Sequence, residues 1–203
     1  MLNDVTVFNI REYLSAKGGK DFGEDELQQL LSGFFCDKNP DVERFLKEKS
    51  IEFTKKNQSV TYLVFSNEDA SLVGYFTITI KPITVNADNF SNTMKRKIAR
   101  VSELDEENGT YTLSAYLIAQ LGKNYKNGAN RKIAGEQLLQ AAIDTIKELQ
   151  YMAGGMVIFL EAEDNDKLMH FYEDENGFKR FDVRESKSGV HYSHTLIQLL
   201  KII

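Results

Sequence analysis

Two kinds of hydrophobic periodicity alternate along this chain, and they predict both helices and strands. At residues 136–149 apolar positions recur at helical spacing with polar residues between them, which predicts a long amphipathic helix that ends before Gly154. At residues 60–64 and 72–80 apolar positions alternate, on either side of the polar run 67–69. This second pattern predicts an antiparallel hairpin.

The remaining patterns are shorter but of the same two kinds. Asn39 followed by Pro40 is typical of a helix start, because asparagine caps free amides and proline fits the first helical position. We expect strands at 5–10, 110–121, 156–161, 178–185 and 190–199, the last two joined across Ser188 and Gly189, and helices at 24–35 and 40–57. The alternation predicts a mixed α/β fold whose central sheet of about six or seven strands is flanked by helices.

Length and composition fit one domain. The chain has 203 residues, 42% of them hydrophobic, which is enough for one sizeable core. We expect a single domain over 1–203, with an N-terminal helical extension at 1–38 and an insertion between strands at 83–110. No apolar run approaches the roughly 20 residues of a membrane helix and no signal-like start is seen, so a cytoplasmic location is expected.

The positions of the cysteine and the histidines do not indicate a disulfide or a metal site. Cys36 is the only cysteine, which excludes an intramolecular disulfide and a cysteine-rich zinc site. It follows two phenylalanines, and we interpret it as an ordinary buried cysteine. His170, His191 and His194 lack ligand partners at a suitable spacing, so no metal site is expected.

The charge distribution bears on partners. A net charge of -5 disfavours broad contact with nucleic acid. The exception is the basic run 95–97 with Arg100, in a segment where Met94, Ile98 and Val101 predict a short helix. This run is interpreted either as a solvated basic face or as a flap over bound phosphates or substrate.

A cationic turn precedes the long helix and supplies the first candidate site. The turn and helix start consist of Asn130, Arg131, Lys132, Ile133, Ala134, Gly135 and Glu136. The first amides of a helix lack intrahelical partners and attract phosphate, and Gly135 has no side chain to hold a ligand off the backbone. The segment therefore predicts a pyrophosphate cradle.

This segment resembles the nucleotide-binding motif of the GNAT N-acetyltransferase superfamily, which includes bacterial members. The motif is a Gln or Arg, two residues, a Gly, one residue, and a Gly or Ala that opens a long helix. Gly135 matches it, whereas Asn130 and Ile133 replace the usual first residue and first glycine. The patterns at 60–80 and 116–122 also follow the family's order, and the resemblance covers roughly residues 40–200. It implies the GNAT fold with acetyl-CoA as co-substrate.

The resemblance also implies residues for the chemistry. Exposed amides around Gln120, Leu121 and Gly122 would bind the acetyl carbonyl and the pantetheine arm, and we expect the glycine to permit an irregular backbone there. Tyr172 corresponds to a tyrosine that protonates the departing thiolate, for which a phenol is suited because it stays protonated at neutral pH. Asn165 corresponds to a position that contacts pantetheine or caps the next helix.

Proton removal from the amine has less specific candidates. Glu161, at the end of the strand 156–161, is the first choice of general base and Glu163 the second. A chain of waters with no dedicated residue is the alternative. One residue more than is usual separates Tyr172 from the Asn176-Gly177-Phe178 step, and we expect it to lengthen the end of the helix.

These features predict an N-acetyltransferase that moves an acetyl group from acetyl-CoA directly to a primary amine in a ternary complex, with no acyl-enzyme at Cys36. One alternative is a toxin-like GNAT protein that acetylates aminoacyl-tRNA, so tRNA stays open as a partner although the acidic charge disfavours nucleic acid. Another is a non-catalytic module that binds acetyl-CoA or a protein, because Ile133 could hinder the approach of phosphate. No membrane partner is expected, and a homodimer is compatible with the sequence.

Overall fold

The computed structural model describes residues 4–14, 23–188 and 192–203. The strands are β1 (Val5–Asn9), β2 (Val60–Ser66), β3 (Leu72–Asn86), β4 (Leu104–Asp105), β5 (Thr110–Lys123), β6 (Val157–Glu163), β7 (Lys179–Ser188) and β8 (Tyr192–Ile202). The α-helices are α1 (Ile10–Leu14), α2 (Glu24–Ser32), α3 (Pro40–Glu48), α4 (Ser50–Lys55), α5 (Asn92–Ile98), α6 (Gly135–Ala153) and α7 (Asp166–Met169). Short 3₁₀ helices span Ala87–Asn89 and Lys126–Arg131, and a π-helix spans His170–Glu175.

The sheet is mixed, which confirms the predicted α/β class. Its strand order is β1-β2-β3-β5-β6-β8-β7, with β4 paired to β5. The β5–β6 pair is parallel, whereas the β1–β2, β2–β3, β6–β8 and β7–β8 pairs are antiparallel. The described residues form eight strands because β4, two residues long, adds to the seven that the pattern predicts.

The chain forms two compact units, and β3 and β5 contribute residues to each. The first unit comprises Met1–Thr79 and Ile118–Glu148, and the second comprises Ile80–Leu117 and Leu149–Ile203. The single domain expected over 1–203 stays a prediction.

The first unit is built on tight contacts between β3, β5 and α6. A Cβ atom on Gly74 would lie 2.9 Å from the carbonyl oxygen of Gly122 and 3.1 Å from a methyl carbon of Leu138. Since neither strand nor helix leaves room for a side chain, Gly74 lets them approach closely. Buried residues of α1–α4, β2 and β3 form the core, including Ile10, Leu27, Leu31, Phe34, Leu46, Leu63 and Tyr75.

The helix predicted at 40–57 is two helices. Its start is as expected, since the Asn39 side chain accepts hydrogen bonds from the amides of Asp41 and Val42. The helix breaks at Lys49, next to which the Ser50 hydroxyl donates to the Leu46 carbonyl oxygen at 2.5 Å. A serine that bonds back to this carbonyl bends a helix, which gives the physical reason for the correction.

The N-terminal segment is not helical throughout. Strand β1 pairs antiparallel with β2, with Val7 opposite Val64. The predicted insertion is also shorter than 83–110, since β3 continues to Asn86. Helix α5 forms there as predicted and buries Ile98, but it ends at that residue, so Val101 leaves the apolar stripe and is 56% exposed.

The second unit has its own core. Its buried residues come from β3, α5, β5, β6, β7 and β8, and include Ile83, Val85, Phe90, Ile98, Leu113, Val157, Phe159, Phe181 and Leu200. The C-terminal hairpin is formed by β7 and β8, as the alternating pattern predicts. The predicted turn residue Gly189 and the adjoining Val190 lie outside the described residues.

Candidate functional site

The predicted cradle leads into α6 in the first unit. Helix α6 begins at Gly135, and its first backbone bond joins the Leu138 amide to the Ala134 carbonyl oxygen at 3.1 Å. The Ala134 amide donates to the Gln137 side chain at 2.8 Å. Within the described residues, the amides of Gly135 and Glu136 have no hydrogen-bond partner. These adjacent donors lie at the positive end of the helix macrodipole, where an anion is stabilised.

The two cations of the turn have different surroundings. Arg131 is exposed and has no ion-pair partner in the described part of the chain. Lys132 contacts the Asp69 carboxylate in the β2–β3 turn and the Ser71 hydroxyl at 3.2 Å. The hydrogen bond from Lys132 lowers the pKa of Asp69 to about 2. Arg131 is therefore available to a ligand, whereas Lys132 is already paired.

Ile133 lies inside the first unit rather than in the cradle. Its exposed fraction is 2%, and it is one of the largest fully buried side chains, while the half-buried Asn130 stands nearer the surface. The expected obstruction of phosphate by Ile133 is therefore wrong, because the side chain packs in the core. Ile133 contributes to packing in the core of the first unit.

The strand with the predicted carbonyl-binding amides pairs with β6 over only part of its length. The parallel pairing joins Ala115–Leu117 to Val157–Phe159, and β5 continues to Lys123. Gln120 and Leu121 lie in this continuation and are half-buried.

The role expected for Gly122 requires a correction. The φ angle of Gly122 is not positive, so no irregular backbone explains the glycine. A Cβ atom there would lie 2.4 Å from Val42 Cγ1 and 3.4 Å from the Tyr75 ring. The Tyr75 hydroxyl also donates to the Val42 carbonyl oxygen at 2.5 Å. Gly122 is thus needed because α3 packs directly against the end of β5.

Asn124 is a residue that the sequence reasoning missed. It is 5% exposed, and its Oδ1 accepts from the amides of Phe35 at 3.0 Å and Lys126 at 3.1 Å. Its Nδ2 donates to the carbonyl oxygen of Leu72 at 2.8 Å, and its backbone amide donates to the carbonyl oxygen of Val73, also at 2.8 Å. Asn124 therefore fixes the path from β5 into the cradle. Asparagine is common in exposed turns, so the sequence carries no signal for this buried role.

In the second unit Tyr172 lies within the π-helix His170–Glu175. We expected the additional residue before Asn176 to lengthen the end of the helix, but it is held in the wider winding of the π-helix. The segment ends at Gly177 with φ 68°, where the Phe178 amide donates to the Tyr172 carbonyl oxygen at 2.9 Å. This bond fixes the backbone of Tyr172 to the start of the following strand segment.

The Tyr172 ring is packed by aromatic neighbours. Its centroid lies 5.0 Å from that of Phe171 and 5.9 Å from that of Phe178, both in edge-to-face geometry. Burial raises the pKa of Tyr172 to about 12. Its hydroxyl makes no hydrogen bond to any described residue. The phenol is therefore protonated at neutral pH, and its O–H group is available to donate a proton.

The predicted bases differ in their surroundings. Both oxygens of Glu161 lie 3.2 Å from Arg184 Nη1, and Oε1 also accepts from Gln198 Nε2 at 2.7 Å. Glu163 is exposed and forms no ion pair among the described residues. The contacts of Glu161 leave it poorly placed to accept a further proton, and its role as a base stays a prediction.

Asn165 is explained by its capping contacts. Its side chain accepts from the amides of Lys167 at 3.0 Å and Leu168 at 3.4 Å, which is the expected cap at the start of α7. No further contact is needed to account for an asparagine here. A contact with pantetheine stays a prediction.

Cys36 is 4% exposed, and burial raises the pKa of its thiol. The interpretation as a buried cysteine is confirmed. His170 Nδ1 lies 2.8 Å from Asp174 Oδ2 on the surface, whereas His191 and the side chain of His194 lie outside the described part. Over the described residues, no group of three or more His, Cys, Asp or Glu side chains could hold a metal ion, and no helix is long and apolar enough to cross a membrane.

Comparison with known proteins adds to this geometry. No family model and no curated protein matches the chain. A structure of AtaT complexed with acetyl-methionyl-tRNAfMet matches with a TM-score of 0.59 and 16% identity, over 96% of this chain and 94% of that one. A Tyr→Phe variant of KacT matches with a TM-score of 0.59 and 17% identity, over 97% and 95%. An AtaT toxin variant bound to acetyl-CoA and the C-terminus of the antitoxin AtaR matches with a TM-score of 0.53 and 15% identity, over 98% and 94%.

The chain has the GNAT fold. This confirms the predicted fold across almost the whole length of the chain. The residues of the GNAT-like motif are also compatible with a pyrophosphate, since the amides of Gly135 and Glu136 and the side chain of Arg131 are unpaired within the described residues. Asn130 and Ile133 depart from the motif without blocking the unpaired amides.

Proposed function

We propose that the protein is an acetyl-CoA-dependent N-acetyltransferase and that its acceptor is the amino group of an aminoacyl-tRNA. The likeness over nearly the full length to AtaT complexed with acetyl-methionyl-tRNAfMet carries this proposal. The acetyl group in that complex belongs to an aminoacyl group on tRNA, and a further similar structure is bound to acetyl-CoA. A homodimer stays a prediction.

Cofactor binding is assigned to the first unit. The amides of Gly135 and Glu136 would bind a pyrophosphate oxygen, and Arg131 would supply the positive charge. Amides of Gln120 to Gly122 would bind the acetyl carbonyl. Lys132 would act at a distance from its position on Asp69, which makes Arg131 the more important cation.

Tyr172 supplies the proton that the reaction requires. The neutral amine attacks the thioester carbonyl, the C–N bond forms, the C–S bond breaks, and the Tyr172 hydroxyl donates its proton to the departing sulfur. Burial raises the pKa of Tyr172 to about 12, so the phenol carries its proton at neutral pH when the thiolate departs. The ammonium proton is assigned to water, because Glu161 is held by Arg184 and Gln198.

Basic residues on α5 and just beyond it could complement the negative charge of a tRNA acceptor. Arg96, Lys97 and Arg100 are exposed on α5 and just beyond it, although the chain as a whole has a net charge of -5. A local cluster of exposed cations can contact RNA phosphates even when the rest of the protein surface is not basic. The acidic net charge favours a small polyamine as the second acceptor class.

Cofactor binding is tested by calorimetry with acetyl-CoA on the wild type, on Gly135→Asp and on Tyr151→Asp. The Gly135→Asp change puts a carboxylate at the start of α6, where it repels the pyrophosphate. Tyr151 is 93% exposed near the other end of α6, so Tyr151→Asp is the charge-matched control. We expect binding by the wild type and the control and its loss in folded Gly135→Asp. Equal binding by all three proteins would refute the cradle.

The acceptor is tested separately with labelled acetyl-CoA. Methionyl-tRNA, free methionine and spermidine are compared at equal concentration, with Tyr172→Phe as the control for enzymatic transfer. We expect label on the aminoacyl-tRNA. If spermidine alone is labelled, the protein is an acetyltransferase whose acceptor is a polyamine and not aminoacyl-tRNA. If no acceptor is labelled although acetyl-CoA binds, the result favours a non-catalytic module.

A further inference from the structure

Glu161, Arg184 and Gln198 form a cluster of polar side chains in the second unit that the proposed function does not use. Glu161 in β6 is paired by register with Gln198 in β8, and Arg184 comes from β7 on the far side of β8. The Glu161 side chain is 19% exposed, while that of Arg184 is 53% exposed. A largely buried carboxylate therefore holds one end of a guanidinium whose remainder faces solvent.

A cleft adjoins this group. It has a volume of about 280 Å³ and is lined by residues that include Lys81, Thr84, Phe159, Phe181, Arg184 and Gln198. Phe159 and Phe181 lie at the bottom of the cleft with ring centroids 6.5 Å apart, and they belong to the core, with only 1% and 7% of their surface exposed. Its size is just below the roughly 300–1,000 Å³ of pockets for drug-sized ligands, so it suits a small molecule.

The charged residues that line the cleft are both cations. Lys81 is exposed, and it has no ion-pair partner among the described residues. Arg184 uses Nη1 for Glu161, and its Nη2 and Nε have no partner in the described part of the chain. A guanidinium presents its donors in a rigid fork that matches a carboxylate or phosphate. Since Glu161 fixes that fork, less side-chain freedom is lost when an anion binds.

We infer that this cleft binds a small ligand that carries an oxyanion, either a carboxylate or a phosphate. Arg184 and Lys81, which both line the cleft, contact the oxyanion. This inference does not depend on acetyl transfer, since it uses none of the residues assigned to acetyl-CoA. The Glu161 carboxylate is a structural anchor of the cleft in this arrangement rather than a base.

The test is an NMR titration of the ¹⁵N-labelled full chain with three probes that share one ring: phenyl phosphate, phenylacetate and benzyl alcohol. We expect at least one anion to bind at least tenfold more tightly than the alcohol, with shifts in the amides of β7 and β8. The stronger of the two anions identifies the head group. Equal affinity for the anions and the alcohol would overturn the inference.

Matched variants locate the site. Arg184→Gln is expected to weaken anion binding about tenfold, whereas Arg180→Gln, on the same strand and paired with Glu173 at 2.9 Å, is expected to leave it unchanged. Lys81→Gln changes an exposed side chain and tests the cleft even if Arg184→Gln fails to fold, and Lys179→Gln is its charge-matched control. We expect Lys81→Gln to weaken binding severalfold. Cleft variants that bind like their controls would place the anion elsewhere and refute the assignment.

Discussion

Replacing Gly122 with alanine should show how strictly α3 fixes the end of β5. The new methyl group would lie 2.4 Å from Val42 Cγ1, far inside contact distance, with the Tyr75 ring on another side. The Val42 backbone cannot simply move aside, because its carbonyl oxygen accepts a 2.5 Å hydrogen bond from the buried Tyr75 hydroxyl. The clash must be relieved by a strained Val42 rotamer, by a shift of α3 or by a shift of the strand that carries Gln120 and Leu121.

The size of the effect follows from packing. Overpacking of a core by a methyl group costs about 1–3 kcal/mol. Alanine recovers about 0.5–1 kcal/mol of backbone entropy relative to glycine in a strand. We therefore expect Gly122→Ala to lower the free energy of unfolding by about 1–2 kcal/mol. Val42→Ala alone should cost about 2 kcal/mol, since it removes buried methyl groups.

The assay is urea unfolding of the wild type, the two single variants and the double variant, together with acetyl-CoA binding by each. Because Val42→Ala removes the atom that the new methyl group meets, the double variant should be about 1–3 kcal/mol more stable than the sum of the single effects predicts. Acetyl-CoA binding should weaken in Gly122→Ala and recover in the double variant. Additive stability effects would show that the contact with Val42 does not explain the glycine.

Three further predictions concern other residues. Asn124→Ala should lower the free energy of unfolding by about 1–3 kcal/mol in urea, because buried backbone groups lose their partner, and a value near zero would contradict the role assigned to it. Tyr172→Phe should lower kcat about 100-fold or more at unchanged acetyl-CoA affinity, and since the pKa of Tyr172 is about 12, the wild-type rate should show no tyrosine-dependent fall below about pH 11. Lys132→Met should raise the pKa of Asp69 from about 2 towards 3.8 in a ¹³C NMR titration. The ion pair stabilises the fold above about pH 4 and is lost as the pH falls through about 2, so an unchanged pKa in the variant would refute the pairing.

Local patterns in the sequence predict the parts of the fold that depend on neighbouring residues. The apolar stripe of α6, the hairpin of β2 and β3 and the Asn39 cap follow from periodicity and capping, and the structure has each of them. The break at Lys49 was missed because the Ser50 side-chain bond overrides an apolar pattern that continues across it. Strand β4 is too short to show any period.

The surroundings of the site residues depend on contacts that are distant in sequence, and they could not be predicted. Nothing near Glu161 in the chain indicates that Arg184 and Gln198 will hold it. Comparison with the motif likewise predicted that Ile133 obstructs phosphate. A motif gives the position of a residue in the sequence but does not show that its side chain is buried in the core. The irregular backbone expected at Gly122 is not the physical reason for the glycine, since the residue that requires it is Val42 on a helix.

The π-helix around Tyr172 has a consequence for changes of chain length. One extra residue can be held in a single wide turn while the residues on either side keep ordinary helical and strand geometry. Deleting Asp174, which is exposed, would be accommodated by rewinding the turn as an α-helix, without a new loop. Tyr172 would then stay attached to the same preceding turn, while Asn176 and Gly177 would move one position closer. Insertions and deletions can therefore accumulate at this turn, so a fixed spacing between the tyrosine and the Asn-Gly-Phe step is a poor criterion for recognising such chains.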